Sequence, residues 1–241
     1  MTWRELIYMI NDELKLSSDD SYFNEDHIAF LVSKYRALLL KQKYSDLKKP
    51  IPDANYQTIY LNLENSNVYG DLMESGEYLR STTKVPNMLG IGNYKVIPAE
   101  EYQGEIAYIS KDRMKYVGYN KYLLNITYAA KSSDGYLYLK SYNPQFTYLN
   151  SVRLNGIFSD PKEALRYESD ELLNDDYDFL DNNFPIEESL VPTLIEMTVK
   201  ELLGTSYRPE DSENNASDDL ANLASFIQRN TKSALSKQLT D

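Results

Sequence analysis

Apolar residues recur at helical spacing near the start of the chain, which predicts two amphipathic helices over residues 1–50. In the first helix, Thr2 and Glu5 have the spacing of a capping box. Its predicted buried face contains Trp3, Leu6, Ile7, Ile10 and Leu14. The second helix begins after Asn24, and its predicted buried stripe contains Ile28, Leu31, Val32, Tyr35, Leu38 and Leu39. Pro50 and Pro52 then end this helical region.

The period of the pattern changes from helical to alternating at Tyr56, so residues 51–160 are predicted to be β-rich. The first strand places Ile59, Leu61 and Leu63 on one face. Further strands are predicted at 77–83, 94–97, 105–110, 115–119, 123–130, 136–142 and 148–158. The turn at 132–135 favours a hairpin, although the run 123–130 also fits a short helix. We expect an antiparallel sheet or a small barrel.

The last third of the chain returns to helical and acidic patterns. Asp160 is a predicted helix cap, with Pro161 at the first helical position. Residues 161–204 are predicted to contain an acidic region and a buried helix that starts at Pro185 and ends at Gly204. Residues 205–241 are predicted to be a linker and a docking arm. The apolar residues of that arm are Leu220, Leu223, Phe226 and Ile227.

The distribution of charged residues limits the classes of partner that the chain is expected to bind. The net charge is −12, and residues 161–241 carry 7 basic and 18 acidic side chains, so most of the acidity lies in this region. No basic patch supports tight DNA binding. No apolar run reaches the roughly 20 residues that cross a bilayer, and the N-terminus does not resemble a signal peptide. With no cysteine in the chain, disulfides are excluded and a reducing compartment is expected.

Tyrosine is the unusual residue in the composition, with 22 copies against one tryptophan and seven phenylalanines. A tyrosine ring can be buried while its hydroxyl keeps a polar partner, which suits protein interfaces. Tyrosine also favours β-strands, so a tyrosine-rich sheet is the competing interpretation.

The candidate chemistry is sparse. His27 is the only histidine, so no triad or zinc site can be built around it. Asp175, Asp176, Asp178 and Asp181 are clustered but lack the spacing of a calcium loop. Gly90 and Gly92 match neither common phosphate-loop pattern. We therefore predict a protein with no catalytic residues, no metal ligands and no cofactor.

Several strings in the chain resemble virion structural proteins of crAss-like gut phages. They include MTWRELIYMINDELK, YLRSTTKVPNMLGIGNYKVIPAEEY, RMKYVGYNKYLLN, DGYLYLKSYNPQFTYLNSVRLNGIFSDPKEAL and FPIEESLVPTLIEMTVKELLG, and together they cover most of the sequence. The resemblance implies a ring protein similar to the head-to-tail adaptors of short-tailed phages. Such adaptors combine N-terminal and C-terminal helices in a bundle, so it implies an α+β fold with a β-rich antiparallel middle and an extended C-terminal arm.

The same resemblance implies a location and partners. It places the protein in the neck or tail of the virion, assembled in the host cytoplasm, as a ring of twelve subunits between portal and tail. The expected partners are the portal protein and neighbouring tail ring or nozzle proteins, with no membrane. The acidic residues Asp175, Asp176, Asp178 and Asp181 are expected to face the DNA ejection channel. The alternative function is a carbohydrate-binding or enzymatic tail component that uses tyrosines as stacking platforms.

Overall fold

The computed structural model describes residues 1–17, 23–45, 49–69, 74–99, 104–117, 121–167 and 178–206. The chain divides into two compact units, Met1–Val199 and Lys200–Asp241, and the packing described below is that of the first. The described residues form the helices α1 (Trp3–Ser17), α2 (Glu25–Lys43), α3 (Pro161–Leu165) and α4 (Val191–Ser206).

Helix α1 begins with the predicted capping box. The Thr2 amide donates to Glu5 Oε2 at 2.8 Å, and the Glu5 amide donates to Thr2 Oγ1 at 3.2 Å. These bonds satisfy two main-chain donors that the first turn of a helix leaves without partners. All five predicted core residues of the helix are at most 1% exposed: Trp3, Leu6, Ile7, Ile10 and Leu14. Both predictions for α1 are confirmed.

Helix α2 is buried around most of its circumference. The helix begins after Asn24 as predicted, and Asn24 caps it, because its side chain accepts from the Asp26 amide at 3.0 Å. The predicted stripe is buried except for Leu38, which is 40% exposed, so that assignment was wrong. The remaining solvent-facing stripe contains Phe30, Lys34 and Leu38 at four-residue spacing. The error arises because Arg36 and Ser33 are buried instead, which shifts the buried face away from Leu38.

The strands of the described residues form one seven-stranded sheet. Their bounds are β1 (Gln57–Tyr69), β2 (Glu74–Ser81), β3 (Lys95–Pro98), β4 (Ile106–Tyr108), β5 (Thr127–Lys131), β6 (Leu137–Lys140) and β7 (Ser151–Gly156). The order across the sheet is β3-β7-β1-β2-β6-β5-β4. All pairs are antiparallel except β4 with β5. The α+β class with a mostly antiparallel middle is therefore confirmed.

The sheet curls so that its two edge strands approach each other. β1 pairs with β7 along its first half and with β2 along its second half. The edge strands β3 and β4 lie next to each other, and the rings of Tyr94 and Tyr108 are 5.3 Å apart. Apolar side chains from β1, β2, β3, β5, β6 and β7 share one buried cluster inside this curl. The sheet is an incompletely closed barrel, between the two predicted alternatives.

Two predicted strands differ from the structure. The run predicted at 115–119 is instead covered in part by a 3-10 turn, Lys111–Tyr116, which places Met114 in a cluster with Tyr78, Ala130 and Tyr138. The run at 123–130 becomes a strand only at Thr127, after a short helical turn at Lys121–Leu123. In both runs the local structure is set by packing against the sheet, and residue propensity alone does not predict it. The β5–β6 hairpin is confirmed, and Gly135 adopts the positive φ of 92° that its turn requires.

The segments after the barrel follow the predicted order with shifted bounds. Asp160 caps α3 and Pro161 is its first residue, as predicted. Helix α4 begins at Val191 and not at Pro185, because the Pro185 carbonyl bonds to another segment, and it continues past Gly204 to Ser206. In the part of the chain that the structure describes, no helix has the length and apolar character needed to cross a bilayer.

Candidate subunit interface

A buried arginine connects the helices to the barrel. The Arg36 side chain is 0% exposed. Its guanidinium donates to the carbonyls of Pro185 at 2.6 Å, Phe158 at 2.9 Å and Asn55 at 3.0 Å. Burial lowers the pKa of Arg36 to about 9, which leaves it charged at neutral pH. One side chain therefore ties α2 to the end of β7, to the turn before β1 and to the segment before α4.

Glu187 completes this connection, which we call the buried joint (Arg36, Asn55, Glu187, Tyr44 and Lys43). The Glu187 amide donates to Asn55 Oδ1 at 3.0 Å. Its carboxylate accepts from the Lys43 ammonium and from the Tyr44 hydroxyl, the latter at 2.7 Å. Burial opposes the charged form of Glu187, but the bonds from Lys43 and Tyr44 outweigh it and lower its pKa. Burial and the neighbouring carboxylate raise the pKa of Tyr44 to about 12.

The N-terminus is fixed against the segment that follows the acidic region. Residues 1–3 pair with 182–184: the Trp3 amide donates to the Asn182 carbonyl and the Phe184 amide to the Met1 carbonyl, each at 3.0 Å. The Trp3 ring packs edge-on against Phe179 and Phe184. Two aromatic contacts and two main-chain bonds therefore hold the start of α1.

The acidic residues predicted to face a channel lie partly in this contact. Arg4 pairs with Asp178 at 3.3 Å and with Asp181 at 2.9 Å. Both carboxylates remain more than half exposed, at 56% and 75%. Asp175 and Asp176 lie outside the described residues, so the structure brings only half of the predicted cluster into view. In that half, Arg4 offsets part of the negative charge.

The remaining predicted sites add no chemistry. His27 is exposed in the first turn of α2. Within the described ranges, no group of three or more histidine, aspartate or glutamate side chains lies close enough to hold a metal ion. The arm residues Leu220, Leu223, Phe226 and Ile227 lie outside the described residues.

A cleft of about 780 Å³ opens beside the start of β1. It is lined by Met1, by residues of β1 and the turn before it, by Arg153 of β7 and by residues of the segment 183–191. Arg153 and Glu188 are the charged side chains of this lining. The described lining therefore contains neither the pair of carboxylates that glycoside hydrolysis uses nor a nucleophile beside a base.

Large apolar side chains are exposed in the segments that lead into and out of the β5–β6 hairpin. We call this the hairpin-end surface. Its members are 40% to 82% exposed: Tyr116, Tyr122, Leu123, Leu124, Tyr142 and Tyr148. Most other described tyrosines of this hairpin are covered, and Tyr138 is only 2% exposed. The exposed set therefore differs from the tyrosines that fill the sheet.

The chain path brings two of these residues, Leu124 and Tyr142, to one end of the hairpin. β5 and β6 pair with Tyr128 opposite Lys140, and the Ser141 hydroxyl donates to the Ile126 carbonyl at 3.2 Å. Leu124 and Tyr142 therefore lie at the same end of the hairpin. The 3-10 turn Lys111–Tyr116 starts at the opposite end of the hairpin, where the Lys111 ammonium donates to the Ser133 hydroxyl at 2.6 Å. From there the turn runs back along the hairpin toward Tyr116.

A second exposed apolar surface lies on α1. Residues Glu5, Tyr8, Met9, Asp12 and Glu13 are all exposed and follow the spacing of one helical face, which we call the α1 face. Tyr8 and Met9 are 52% and 46% exposed. The opposite side of the helix carries the buried core residues. The α1 face therefore combines two apolar side chains with three carboxylates.

A model of the family described as phage tail ring protein 2 matches residues 5–220 of the chain. The chain belongs to this family. Ring protein 2 of Bacteroides phage crAss001 is 57% identical over 221 residues, which cover 91% of this chain and 98% of that protein. The resemblance to crAss-like phage proteins is confirmed. This member of the ring protein family is a structural component of the virion and self-associates.

The functional surfaces of this ring protein were only partly accessible to sequence reasoning. The tyrosine count raised two interpretations. Tyr138 fills the sheet, whereas Tyr122 and Tyr148 are exposed, and their role as interface residues stays a prediction. The α1 face was not predicted, although Tyr8 and Met9 are apolar residues that lie outside the predicted buried stripe of α1, which is a sequence signal for an exposed apolar face. Arg36 was missed as well, although it interrupts the apolar stripe of α2 between Tyr35 and Leu39.

Proposed function

We propose that this ring protein forms a closed ring in the neck or tail of the virion, between the portal protein and the tail. Its lumen then forms part of the channel through which DNA is ejected. The observation that carries the proposal is the family match over residues 5–220. A ring of twelve subunits is the form that fits the adaptors resting on portals. The exposed apolar side chains of the hairpin-end surface and the α1 face support a protein that works with partners.

The proposed role requires no catalysis. The cleft beside β1 presents one arginine and one glutamate as its charged lining, which suits a surface of an assembly better than a hydrolytic site. Exposed tyrosines such as Tyr122 and Tyr148 also offer ring faces on which sugars stack, so glycan binding is the outcome that distinguishes the alternative function.

The direct test is imaging of the purified protein and of virions that carry a labelled copy. We expect closed rings from the pure protein, a label on the axis of the particle at the neck or tail, and no binding on a glycan array. Closed rings that carry the label at the capsid surface would contradict the proposed position. A monomer that binds glycans would contradict the function itself.

A second part of the proposal concerns the acidic region. A channel wall with negative charge repels DNA phosphates and so lets DNA slide without being trapped. Asp175 and Asp176 are the better test positions, because lysine at Asp178 would also break the Arg4 contact. We expect Asp175→Lys with Asp176→Lys to slow DNA ejection at low salt.

The matched control for this change is Asp53→Lys with Glu77→Lys, which makes the same change in charge at two exposed carboxylates elsewhere in the subunit. Ejection rates are measured on particles that contain each variant in equal amount. Normal ejection from the Asp175 and Asp176 variant places these residues away from the channel. Equal slowing by the control shows a general charge effect and contradicts a channel role for this region.

A third part of the proposal concerns the arm. Leu220, Leu223, Phe226 and Ile227 have amphipathic spacing after a polar tether, and short helices of this kind are marginal in water without a groove to bind. We propose that the arm docks on the portal protein. Truncation after Ser206, which keeps α4 whole, is expected to abolish co-assembly with portal and to leave the melting temperature unchanged. A truncated protein that melts much lower and still binds portal would show that the arm packs on its own subunit.

A further inference from the structure

A ring of identical subunits needs two different surfaces that fit each other. Each subunit contacts one neighbour with the first surface and the other neighbour with the second, so the contact is head-to-tail. The hairpin-end surface and the α1 face are two different surfaces, because they lie on different elements of the subunit. α1 packs on α2 and on the turn Phe179–Asp181, whereas the hairpin-end surface is built around β5 and β6.

Opposite charges lie beside Tyr116 and on the α1 face. The turn Lys111–Tyr116, which leads into the hairpin-end surface, exposes three basic side chains and one acidic side chain. The α1 face exposes the carboxylates of Glu5, Asp12 and Glu13. In a chain with a net charge of −12, the excess of basic side chains next to the exposed Tyr116 is distinctive, and the Lys115 ammonium lies 4.9 Å from the centre of its ring. Opposite charges around an apolar contact speed association and fix its register.

The side-chain types also suit a contact between subunits. Tyrosine, arginine and methionine are enriched at protein interfaces, and tyrosine supplies much of the binding free energy where it becomes fully buried. Tyr122 and Tyr148 are 82% and 79% exposed, so a partner can cover nearly the whole of each ring. On the other side, Tyr8 and Met9 supply apolar area between carboxylates.

We propose that the hairpin-end surface of each subunit docks on the α1 face of the next subunit around the ring. This inference rests on the proposed ring function and adds to it the surfaces that close the ring. The occupant of each surface is a second copy of this chain, because self-association belongs to the family and because the basic turn beside Tyr116 complements the carboxylates of the α1 face.

Two variants test the pairing. The hairpin-end variant carries Tyr122→Glu and Tyr148→Glu, and the α1-face variant carries Tyr8→Glu and Met9→Glu. All four positions are exposed, so the subunit fold is expected to survive. Each variant alone lacks one half of the contact and is expected to remain a monomer at concentrations where the wild-type protein forms rings.

An equal mixture of the two variants gives the decisive result. The α1-face variant keeps an intact hairpin-end surface and the hairpin-end variant keeps an intact α1 face, so one contact forms between them and no second one. We expect heterodimers that do not grow further, measured by light scattering and native mass spectrometry. Heterodimers also prove that both variants are folded. The matched control Phe30→Glu, at a 64% exposed aromatic on α2, is expected to form rings like the wild type.

The contradicting outcomes are distinct from those for the ring function. Rings from either variant alone, a mixture that stays monomeric while the wild type forms rings, or loss of rings in the Phe30 control overturns the proposed pairing alone. A wild-type protein that stays monomeric at every concentration overturns the proposed ring function together with the pairing.

Discussion

The buried joint and the hairpin-end surface invert the usual placement of polar and apolar side chains. In the joint, the charged side chain of Arg36 is 0% exposed. At the hairpin end, the aromatic side chains of Tyr122 and Tyr148 are 82% and 79% exposed. A soluble subunit on its own would favour the opposite arrangement, since charge is costly to bury and large apolar surface is costly to expose.

The difference shows which contacts are complete within one subunit. Arg36 donates to three carbonyls from three separate segments, so its burial is compensated and it fixes their relative positions. Tyr122 and Tyr148, by contrast, keep most of their side-chain surface in contact with water. The joint therefore belongs to folding of the subunit, and the hairpin-end surface belongs to assembly.

The largest expected effect is on the joint. Arg36→Met removes the donors and leaves the carbonyls of Pro185, Phe158 and Asn55 buried without their partner. We expect a loss of about 3 kcal/mol or more in the free energy of unfolding, measured by denaturant titration. Arg36→Lys keeps the charge but replaces the planar fork by a single ammonium, and we expect it to recover only part of the loss. A Met variant as stable as the wild type would show that the joint does not hold the fold together.

A smaller, pH-dependent effect is expected at Glu187. Because its folded-state pKa lies below the ordinary value, its carboxylate stabilises the fold above the unfolded pKa of about 4.3, and this contribution disappears as the pH falls through the folded-state pKa. Glu187→Gln is expected to cost about 1–2 kcal/mol at pH 7, with a gap that narrows in acid. The control is Glu188→Gln at the exposed neighbouring position. Equal gaps at pH 7 and in acid would contradict the bonds to Lys43 and Tyr44.

The smallest effect on subunit stability is expected at the hairpin end. Tyr122→Ser with Tyr148→Ser is expected to change the free energy of unfolding by no more than about 0.5 kcal/mol, because both rings are exposed, yet to weaken ring assembly strongly. Tyr138→Ser, at a 2% exposed tyrosine of the same hairpin, is expected to lose about 3 kcal/mol. Similar melting temperatures for the Tyr122 and Tyr148 double variant and for the Tyr138 variant would show that exposed and sheet tyrosines contribute equally to folding, which would contradict this prediction.

The elements that sequence reasoning predicted well are those whose signals are local. The capping box of Thr2 and Glu5, the start of α2 after Asn24 and the hairpin turn before Tyr136 depend on neighbouring residues, so short-range spacing is sufficient. The buried face of α1 follows from periodicity for the same reason. The class of the fold was predictable because the change from helical to alternating period at Tyr56 is abrupt.

The features that were missed depend on residues far apart in the chain. Arg36 is bonded to segments 19, 122 and 149 positions away, so no local pattern shows that its charge is satisfied. The exposure of Leu38 and the helical turn around Met114 are likewise set by what packs against them. The pairing of Asp178 and Asp181 with Arg4 joins residues 174 and 177 positions apart, and the acidic composition alone suggested only solvated charge.

The most direct test of the account is a cross-linking experiment that uses the absence of natural cysteine from the chain. Met9→Cys on the α1 face and Tyr148→Cys at the hairpin end are combined in one protein, and rings are treated with a short bifunctional maleimide. The account predicts a ladder of covalent oligomers up to the full ring from the double variant, and uncross-linked monomers from each single variant. Dimers from a single variant, or no ladder from rings of the double variant, would contradict a head-to-tail contact between these two surfaces.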